Sequence, residues 1–280
     1  MKKNIPFVKM EGLGNDFVVL HEIEDSLVDN LGQHSIEICD RRRGVGADGV
    51  ICVLPSQKAD FRMRIFNSDG SEAEMCGNGV RCFAHYLHHN GLSSKTSISV
   101  DTLAGMIGVQ KENDLYKVNM GLPRLSSEEI PVESSSPEFI MQEVQVSDKV
   151  FNVTAVSMGN PHAVIYADEL SDELVFTYGP LLEKHFLFPR RTNVEFIKVI
   201  SKDQIQMRVY ERGCGETQAC GTGACGAAVS GIVNGLHGND VTVHLPGGDL
   251  RVFWDGNRSH PVYMTGPART VFRGKLEIRS

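Results

Sequence analysis

The sequence predicts a mixed α/β fold of two homologous domains, each a mixed sheet or barrel wrapped around one central helix. Three observations lead to this prediction. The chain repeats itself once, short β-branched runs are bounded by Gly, Pro and Asn, and each repeat contains one apolar helical segment. A chain of 280 residues is long enough to bury two cores of ordinary domain size.

The internal repeat emerges when Cys76 is placed over Cys220, an offset of 144 residues. Identical residues then coincide without a gap: Met63-Arg64 with Met207-Arg208, Glu72 with Glu216, Gly77 with Gly221, Gly79 with Gly223, Ala84 with Ala228, and Asn90-Gly91-Leu92 with Asn234-Gly235-Leu236. With a shift of one residue, Gly14-Asn15 matches Gly159-Asn160. The features occur in the same order in both halves, which indicates a duplicated domain.

The repeat predicts one domain at 1–121, completed by a last strand within 267–280, and a second domain at 122–266. A polar segment from Ser126 to Pro137 joins the repeated parts. Two copies of one domain commonly pack about an approximate two-fold axis, and ligand sites favour domain interfaces. We therefore expect Cys76 and Cys220 to face each other across the junction.

The elements of each half follow from residue spacing. Apolar or alternating runs predict strands at 17–20, 61–66, 163–166, 205–210, 241–245 and 270–278. One helix follows each paired cysteine, with apolar faces formed by Val80, Phe83, Ala84 and Leu87 and by Ala224, Ala227, Ala228 and Ile232. Each helix is expected to end at an Asn-Gly pair.

Composition excludes several classes of function. The net charge of -7 gives no basis for nucleic-acid binding, and we interpret the run Arg41-Arg42-Arg43 as a solvated loop. No apolar run approaches membrane-spanning length, and the N-terminus lacks the apolar stretch of a signal peptide. These features predict a cytoplasmic protein with neither a nucleic-acid nor a membrane partner.

The seven cysteines are an odd number without C-x-x-C spacing, so neither a disulfide framework nor a structural metal is expected. Four of them are predicted core residues: Cys39, Cys52, Cys82 and Cys225. Cys214, in a turn of the second repeat, is not assigned a role.

Cys76 and Cys220 carry the predicted chemistry. Each begins a Gly-rich turn at a helix start, Cys76-Gly-Asn-Gly79 and Cys220-Gly-Thr-Gly223. Helix N-termini favour anions and lower thiol pKa values, so each thiol should exchange protons near neutral pH. Two such ends could hold a substrate carboxylate while presenting a thiol to each face of the adjacent carbon. This pattern indicates an epimerase that needs no cofactor and no metal.

Several long motifs resemble the diaminopimelate epimerase family over nearly the whole chain. They are Gly12-Leu-Gly-Asn-Asp-Phe17, Phe66-Asn-Ser-Asp-Gly70 with Met75-Cys-Gly-Asn-Gly79, Met158-Gly-Asn-Pro-His162, Glu211 through Gly223, Leu245-Pro-Gly-Gly248 and Tyr263-Met-Thr-Gly266. The resemblance implies two similar α/β domains, usually in a homodimer. It also implies interconversion of LL- and meso-2,6-diaminopimelate without pyridoxal phosphate, on the route to lysine and peptidoglycan.

The resemblance also implies roles for individual residues. Cys76 and Cys220 would transfer protons, with His162 and Glu211 helping to set the thiol pKa values. The backbone of Gly77, Asn78, Gly221 and Thr222 would hold the reacting carboxylate, and Glu211 would lie near the reacting ammonium. The distal end of the amino-acid substrate would bind Asn67, Asn160, Asn193 and Arg212, and Asn15 would complete the pocket.

Two positions depart from the family pattern. Gly49 stands where many members carry Gln, and Cys214 stands where a small residue without a thiol is usual. Three alternatives remain open: a redox protein cycling a Cys76–Cys220 disulfide, a non-catalytic amino-acid binding module, and a racemase related to proline racemase. Asn67, Asn193 and Arg212 favour diaminopimelate over a ring substrate, which has no distal amino-acid end.

Overall fold

The structure, a computed structural model, describes residues 2–279. These residues divide into two compact units. Unit 1 lies within Met1–Val118 and Gly266–Ser280, and unit 2 is Asn119–Thr265. Among the described residues, no helix has both the length and the apolar character needed to cross a membrane.

The described residues of unit 1 form nine strands and three helices. In chain order they are β1 (Lys2–Gly12), β2 (Asn15–His21), α1 (Asp25–Asp29), α2 (Leu31–Cys39), β3 (Gly49–Leu54), β4 (Phe61–Asn67), β5 (Glu72–Ala73), α3 (Gly77–His89), β6 (Ser97–Thr102), β7 (Gly105–Glu112), β8 (Leu115–Asn119) and, at the end of the chain, β18 (Arg269–Arg279). Strand β1 pairs antiparallel with β18 and β2, β2 pairs parallel with β3, and β3 pairs antiparallel with β4. Strand β4 pairs antiparallel with β5 and parallel with β6, after which β6, β7 and β8 form an antiparallel meander.

Unit 2 repeats these elements. They are β9 (Gln142–Val146), β10 (Lys149–Ser157), β11 (Pro161–Tyr166), a π-helix (Leu174–Tyr178), α4 (Gly179–Glu183), β12 (Asn193–Val199), β13 (Gln204–Glu211), β14 (Gly215–Glu216), α5 (Gly221–Val233), β15 (Asp240–Leu245), β16 (Gly248–Phe253) and β17 (Tyr263–Gly266). Strands β10 to β17 pair in the same order and directions as β1 to β8, including the parallel pairs β11–β12 and β13–β15. The predicted mixed α/β fold with two repeated halves is confirmed.

The helices α3 and α5 are the central helices of the two units. Helix α3 packs against β1, β2, β3, β7 and β18, and α5 packs against β10, β11, β12, β15 and β16. Each ends at the predicted Asn-Gly pair, where Gly91 and Gly235 adopt φ values of 70° and 69°. This left-handed conformation is easily adopted by glycine, so the chain leaves both helices in the same way.

The opposite face of each sheet is also covered. In unit 1, residues of α2 pack on Val18, Val50 and Cys52. In unit 2, the π-helix and α4 pack on Ala163, Val194 and their neighbours. Strands β3 and β12 are therefore largely buried on both faces, which explains the almost continuously apolar sequence of β3; β12 also buries two polar residues, Asn193 and Glu195.

The segment from Ser126 to Pro137 was predicted to be a polar connection, but part of it packs into unit 2. The side chains of Ile130 and Val132 lie in the core of unit 2, and Ser127 N donates to Pro137 O at 2.9 Å. Apolar residues spaced among the serines and glutamates fold this segment onto unit 2. The cysteines predicted to lie in the core, at 39, 52, 82 and 225, are all buried.

Candidate active site

Cys76 occupies the N-cap of α3, in an extended backbone conformation with φ -140° and ψ 117°. Its Sγ accepts a hydrogen bond from the backbone N–H of Gly79 at 3.5 Å. The first N–H groups of a helix have no intrahelical acceptor and lie at the positive end of the helix dipole. The position therefore suits a thiol that must carry negative charge during part of a reaction.

Two amide side chains beside Cys76 have orientations set by charged groups. Asn15 Nδ2 donates to Asp48 Oδ2 at 2.7 Å, so Asn15 Oδ1 faces Cys76 Sγ at 3.6 Å and Asn78 Nδ2 at 3.2 Å. Asn78 Oδ1 accepts from Nη2 of the fully buried Arg81 at 2.9 Å. A carboxylate only accepts and a guanidinium only donates, so either amide would lose a bond if it turned over. Cys76 consequently donates its S–H to an amide oxygen.

An ion-pair network supports this arrangement. Asp16 lies 2.6 Å from Lys9 Nζ and 2.8 Å from Arg41 Nη2, which also reaches Asp48 Oδ1 at 2.8 Å. Arg41 is exposed, as the predicted solvated loop requires, but its guanidinium joins the two carboxylates. Burial alone would raise the pKa of Asp16; the hydrogen bonds and charges of Arg41 and Lys9 outweigh burial and lower it to about 2.

The depressed pKa of Asp16 predicts a specific loss of stability in acid. The group's ordinary pKa is 3.8 and its pKa in the fold is about 2, so its stabilisation is complete above the first value and is lost as pH falls through the second. We expect Asp16→Asn to lower the free energy of unfolding by about 2 kcal/mol near neutral pH. Urea unfolding of both proteins at a series of pH values should show the difference shrinking towards zero as pH approaches about 2. A constant difference over that range would contradict the assignment.

Cys220 is the N-cap of α5, with φ -121° and ψ 109°. Its Sγ accepts from Gly223 N–H at 3.4 Å and lies 3.5 Å from the Thr222 hydroxyl. The helix start thus repeats the geometry found at Cys76. Burial differs, because Cys220 is only 5% exposed while Cys76 is half-buried.

The electrostatic surroundings of Cys220 differ from the sequence expectation of a lowered thiol pKa. Burial raises its pKa well above the ordinary value, and the charges of Glu211 and Glu195 raise it further. Hydrogen bonds from Thr222 and Gly223 oppose this shift without overcoming it. Burial also raises the pKa of Glu211, whose Oε1 accepts from the Thr217 hydroxyl. The helix start alone therefore does not determine the protonation of this thiol.

A chain of hydrogen bonds leads from Thr222 into the core of unit 2. Asn160 Nδ2 donates to Thr222 Oγ1 at 3.2 Å, and Asn160 Oδ1 lies 3.0 Å from His162 Nε2. His162 Nδ1 lies 2.7 Å from Glu195 Oε1, and both side chains are fully buried. The predicted residues His162, Asn160 and Thr222 thus form one network that ends at a carboxylate.

Other candidate binding residues lie in two further places. Asn193 Oδ1 accepts from the backbone N–H of Arg212 at 2.9 Å, while Asn193 Nδ2 donates to Pro161 O at 3.0 Å. Asn67 Nδ2 donates to Ser71 Oγ at 2.9 Å. In unit 2 the structure therefore brings Asn193 and Arg212 together. In unit 1, Asn67 bonds Ser71, whereas Asn15 bonds Cys76 and Asn78.

The strand that precedes each cysteine is held by a duplicated ion pair. Arg64 contacts Glu72 through Nε at 2.7 Å and Nη2 at 2.8 Å, and Arg208 contacts Glu216 at 2.7 and 3.0 Å. Bidentate pairs of this kind have strict geometry. They fix β4 to β5 and β13 to β14, from which the chain runs directly to Cys76 and Cys220.

Sequence reasoning missed Asp48, Arg81 and Glu195. Asp48 and Glu195 each contact their partner across 33 positions of sequence, and no local pattern marks such contacts. The one available signal was a charged residue within an apolar strand or helix, as at Glu195 and Arg81. Within residues 2–279, no three His, Cys, Asp or Glu side chains are grouped so that they could hold a metal ion.

Comparison with known proteins gives a consistent result. The family model described as diaminopimelate epimerase matches residues 7–126 and 154–271. The chain is 49% identical to the diaminopimelate epimerase of Moorella thermoacetica, covering 97% of this chain and 99% of that protein. It is 46% identical to the protein of the same name from Methanococcus maripaludis, again with coverage of 97% and 99%.

Solved structures share the fold at low sequence identity. A hydroxyproline epimerase from Agrobacterium vitis superposes with a TM-score of 0.73 and 15% identity, covering 99% of this chain and 94% of that one. A phenazine biosynthesis protein of the PhzF family from Bacillus anthracis gives a TM-score of 0.69 and 19% identity, covering 99% and 100%. At these identities the likeness establishes the fold alone.

Proposed function

The chain belongs to the diaminopimelate epimerase family, and on this premise we propose that it interconverts LL- and meso-2,6-diaminopimelate by proton transfer at one α-carbon. The observation that carries the proposal is the duplicated thiol: each unit places one cysteine at the N-cap of its central helix, with its Sγ bonded to the N–H three residues on. Inversion of a stereocentre by proton exchange needs a base on one face and an acid on the other.

In the proposed mechanism, Cys76 and Cys220 act on opposite faces of the α-carbon. One thiolate removes the α-proton, and the other thiol returns a proton to the opposite face, so the two cysteines exchange protonation states in each turnover. The backbone N–H groups of Gly77, Asn78, Gly221 and Thr222 hold the reacting carboxylate. These donors stabilise the negative charge that develops as the proton leaves, because helix starts favour anions.

The remaining polar residues are proposed to bind the ammonium and the distal end of the substrate. Glu211 takes the reacting ammonium, and its burial strengthens such an ion pair. We assign the distal amino-acid end to Asn67, Asn160, Asn193 and Arg212, with Asn15 completing the pocket. The hydrogen bond from Arg212 N–H to Asn193 supports a shared role for these two residues.

Three further features of the proposal follow from the family. The reaction proceeds without pyridoxal phosphate, because the helix starts stabilise the carbanion. The enzyme works in the cytoplasm as a homodimer. Its product enters the synthesis of lysine and of peptidoglycan precursors.

Exchange of the α-proton tests this function. We expect purified, reduced protein in deuterated water, without added pyridoxal phosphate, to incorporate deuterium at the α-carbon of LL-diaminopimelate and to form the meso isomer. Mass spectrometry measures the deuterium, and chiral chromatography separates the isomers. A parallel reaction with trans-4-hydroxy-L-proline should show no exchange. Absence of exchange with LL-diaminopimelate would refute the proposal, and exchange with the proline substrate instead would indicate a racemase of the proline type.

A further inference from the structure

The turn between β13 and β14, at residues 212–214, carries Arg212, which is assigned above to the distal end of the substrate. Arg212, Gly213 and Cys214 are all exposed. Gly213 and Gly215 adopt φ values of 77° and 80°, and a Cβ built on either would meet no heavy atom of the described residues within 4 Å beyond its chain neighbours. Side-chain packing therefore does little to fix this turn, and its hydrogen bonds must determine its conformation.

Two N–H groups of the turn bond side chains that lie outside it. Arg212 N–H donates to Asn193 Oδ1 at 2.9 Å, and Gly213 N–H donates to Glu183 Oε1 at 3.2 Å. Both directions are fixed, because a backbone N–H only donates, a carboxylate only accepts, and Asn193 Nδ2 already donates to Pro161 O. The turn is thus held by an amide at the start of β12 and by a carboxylate at the end of α4.

Helix α4 contacts the strand before the turn as well as the turn itself. A Cβ built on Gly179, at the start of α4, would lie 2.9 Å from Cβ and Cγ of Tyr210, so the helix backbone lies directly on the end of β13. The connection from α4 to β12 also reaches the turn, because Arg212 Nη1 donates to Arg190 O at 3.2 Å. The backbone and the guanidinium of Arg212 are therefore both bonded to the segment that runs from α4 into β12.

A buried carboxylate at position 183 is costly. Glu183 is 2% exposed, and burial of a charge is unfavourable unless donors compensate for the lost water. Its ion-pair partners are distant, since Arg191 Nη1 lies 3.5 Å from Oε1 and Lys184 Nζ lies 3.7 Å from Oε2, and both side chains are more than half exposed. Exposed pairs of this kind contribute little to stability. The closer bond from Gly213 N–H is therefore the contact that accounts for the carboxylate.

Unit 1 supports its equivalent turn without a charge. In the 144-residue repeat, Asn67 corresponds to Glu211, and α2 occupies the place of α4 between the same two strands. Ser35 Oγ donates to Asn67 O at 3.1 Å, and a Cβ built on Gly32 would lie 2.8 Å from Gly70 O. A hydroxyl and a close backbone contact thus suffice at this place in the fold. The carboxylate of unit 2 is not needed to build the turn as such.

We propose that Glu183 is a positioning residue that holds the turn at 212–214, so that the Arg212 guanidinium is in place to bind the carboxylate at the distal end of the substrate. This inference deepens the proposed function and rests on it for its catalytic meaning. A guanidinium recognises a carboxylate through two parallel hydrogen bonds, whose geometry is strict. A turn that is already ordered also spares the substrate the entropic cost of ordering it on binding.

Substitutions at Glu183 separate its hydrogen bond from its charge and its volume. Glu183→Gln removes the charge and keeps an oxygen that accepts the Gly213 N–H. Glu183→Met keeps an unbranched side chain of similar length and removes both the charge and the acceptor. Arg191→Asn is the matched control, because it removes an ion-pair partner of Glu183 and leaves the bond to Gly213 in place. Asparagine tolerates the φ of 58° at position 191.

Hydrogen exchange at the Gly213 amide, resolved by NMR, measures the hold on the turn without any need for activity. We expect exchange at least about tenfold faster in Glu183→Met than in the wild type, and within about threefold of the wild type in Glu183→Gln and Arg191→Asn. Steady-state kinetics with LL-diaminopimelate should follow the same order. Glu183→Met should lower kcat/KM at least about tenfold, mainly through a higher KM, because the distal end is bound less well while the thiols stay in place.

The Arg212→Gln background distinguishes positioning of Arg212 from a general structural role. If Glu183 acts through Arg212, adding Glu183→Met to Arg212→Gln should lower kcat/KM by less than about a further twofold. An undiminished loss in that background would overturn the proposal, and so would unchanged Gly213 exchange in Glu183→Met.

The conservative variant gives a second route to the same decision. A tenfold loss of kcat/KM in Glu183→Gln, with the Gly213 amide still protected, would show that the charge matters rather than the hydrogen bond, and the proposal would fail. This test remains if Glu183→Met does not fold. An inactive wild type refutes the proposed function and the role of Arg212 in it, whereas Gly213 exchange still decides whether Glu183 holds the turn.

Discussion

Replacing Cys76 or Cys220 with Ser is expected to lower kcat/KM for LL-diaminopimelate by about 10³-fold or more, the largest effect that we predict for a single substitution. A hydroxyl at either N-cap still accepts the helix N–H, so the fold should persist. Its pKa lies far above that of a thiol, however, so it does not serve as a base near neutral pH. The two single variants, Cys76→Ser and Cys220→Ser, should lose activity to a similar extent, because each turnover uses both thiols.

The matched control is Cys214→Ser, since Cys214 is exposed in the turn between β13 and β14. Deuterium exchange, isomer ratio and urea unfolding should be measured on all three variants. More than a tenth of wild-type activity in Cys76→Ser or Cys220→Ser would contradict a mechanism with two thiols. So would an equal loss in Cys214→Ser.

Gly223→Ala is expected to lower kcat/KM by at least about 100-fold. The added Cβ would lie 2.7 Å from Glu195 Oε1 and 3.2 Å from Cys220 Sγ, so the carboxylate, the thiol or the first turn of α5 must move. Displacement of a reacting group by about 1 Å costs about 10²-fold in rate. Alanine itself favours a helix over glycine by about 1 kcal/mol, so loss of helix propensity is not the cause.

Gly79→Ala provides the comparison in unit 1. There the added Cβ would meet Ile65 Cδ1 at 3.0 Å and Ile51 Cδ1 at 3.4 Å, the ends of flexible side chains that can turn away. We expect a loss of less than about tenfold, since no reacting group has to move. Steady-state kinetics measure kcat/KM for both variants. Equal losses in Gly79→Ala and Gly223→Ala would show that activity does not depend on whether Ile51 or Glu195 packs against the first turn of the helix.

The sequence predicted the central helices well because their signals are local. Cys76 and Cys220, the glycines that follow them and the Asn-Gly pairs at 90–91 and 234–235 all lie within one helix length of the feature they mark. The repeat strengthened each assignment, since the same pattern had to hold twice. The short helices α1, α2 and α4 and the π-helix occupy equivalent places between strands, but no repeat was identified in their sequences and they were not predicted.

The surroundings of the thiols were predicted only in part. Family motifs identified Asn15, Asn78, Asn160, His162, Glu211 and Thr222. The structure places Asn15 and Asn78 beside Cys76 and Thr222 and Glu211 beside Cys220, while Asn160 and His162 are linked to Thr222 by hydrogen bonds. The lowered pKa expected for a thiol at a helix start did not hold for Cys220. Burial and two carboxylates raise its pKa, and neither can be inferred from the residues next to it in sequence.

By itself, the sequence determined the duplicated fold and the two helix starts with Cys76 and Cys220 at them, because hydrophobic periodicity and capping act over a few neighbouring residues. Only the tertiary structure decided how the two thiols differ. Asp48 reaches Asn15, and Glu195 reaches His162, because parallel strand pairing joins β2 to β3 and β11 to β12 across long connections. The energy of a charge depends on what surrounds it after folding, so the same helix start holds a half-buried thiol bonded to Asn15 in one unit and a buried thiol close to two carboxylates in the other.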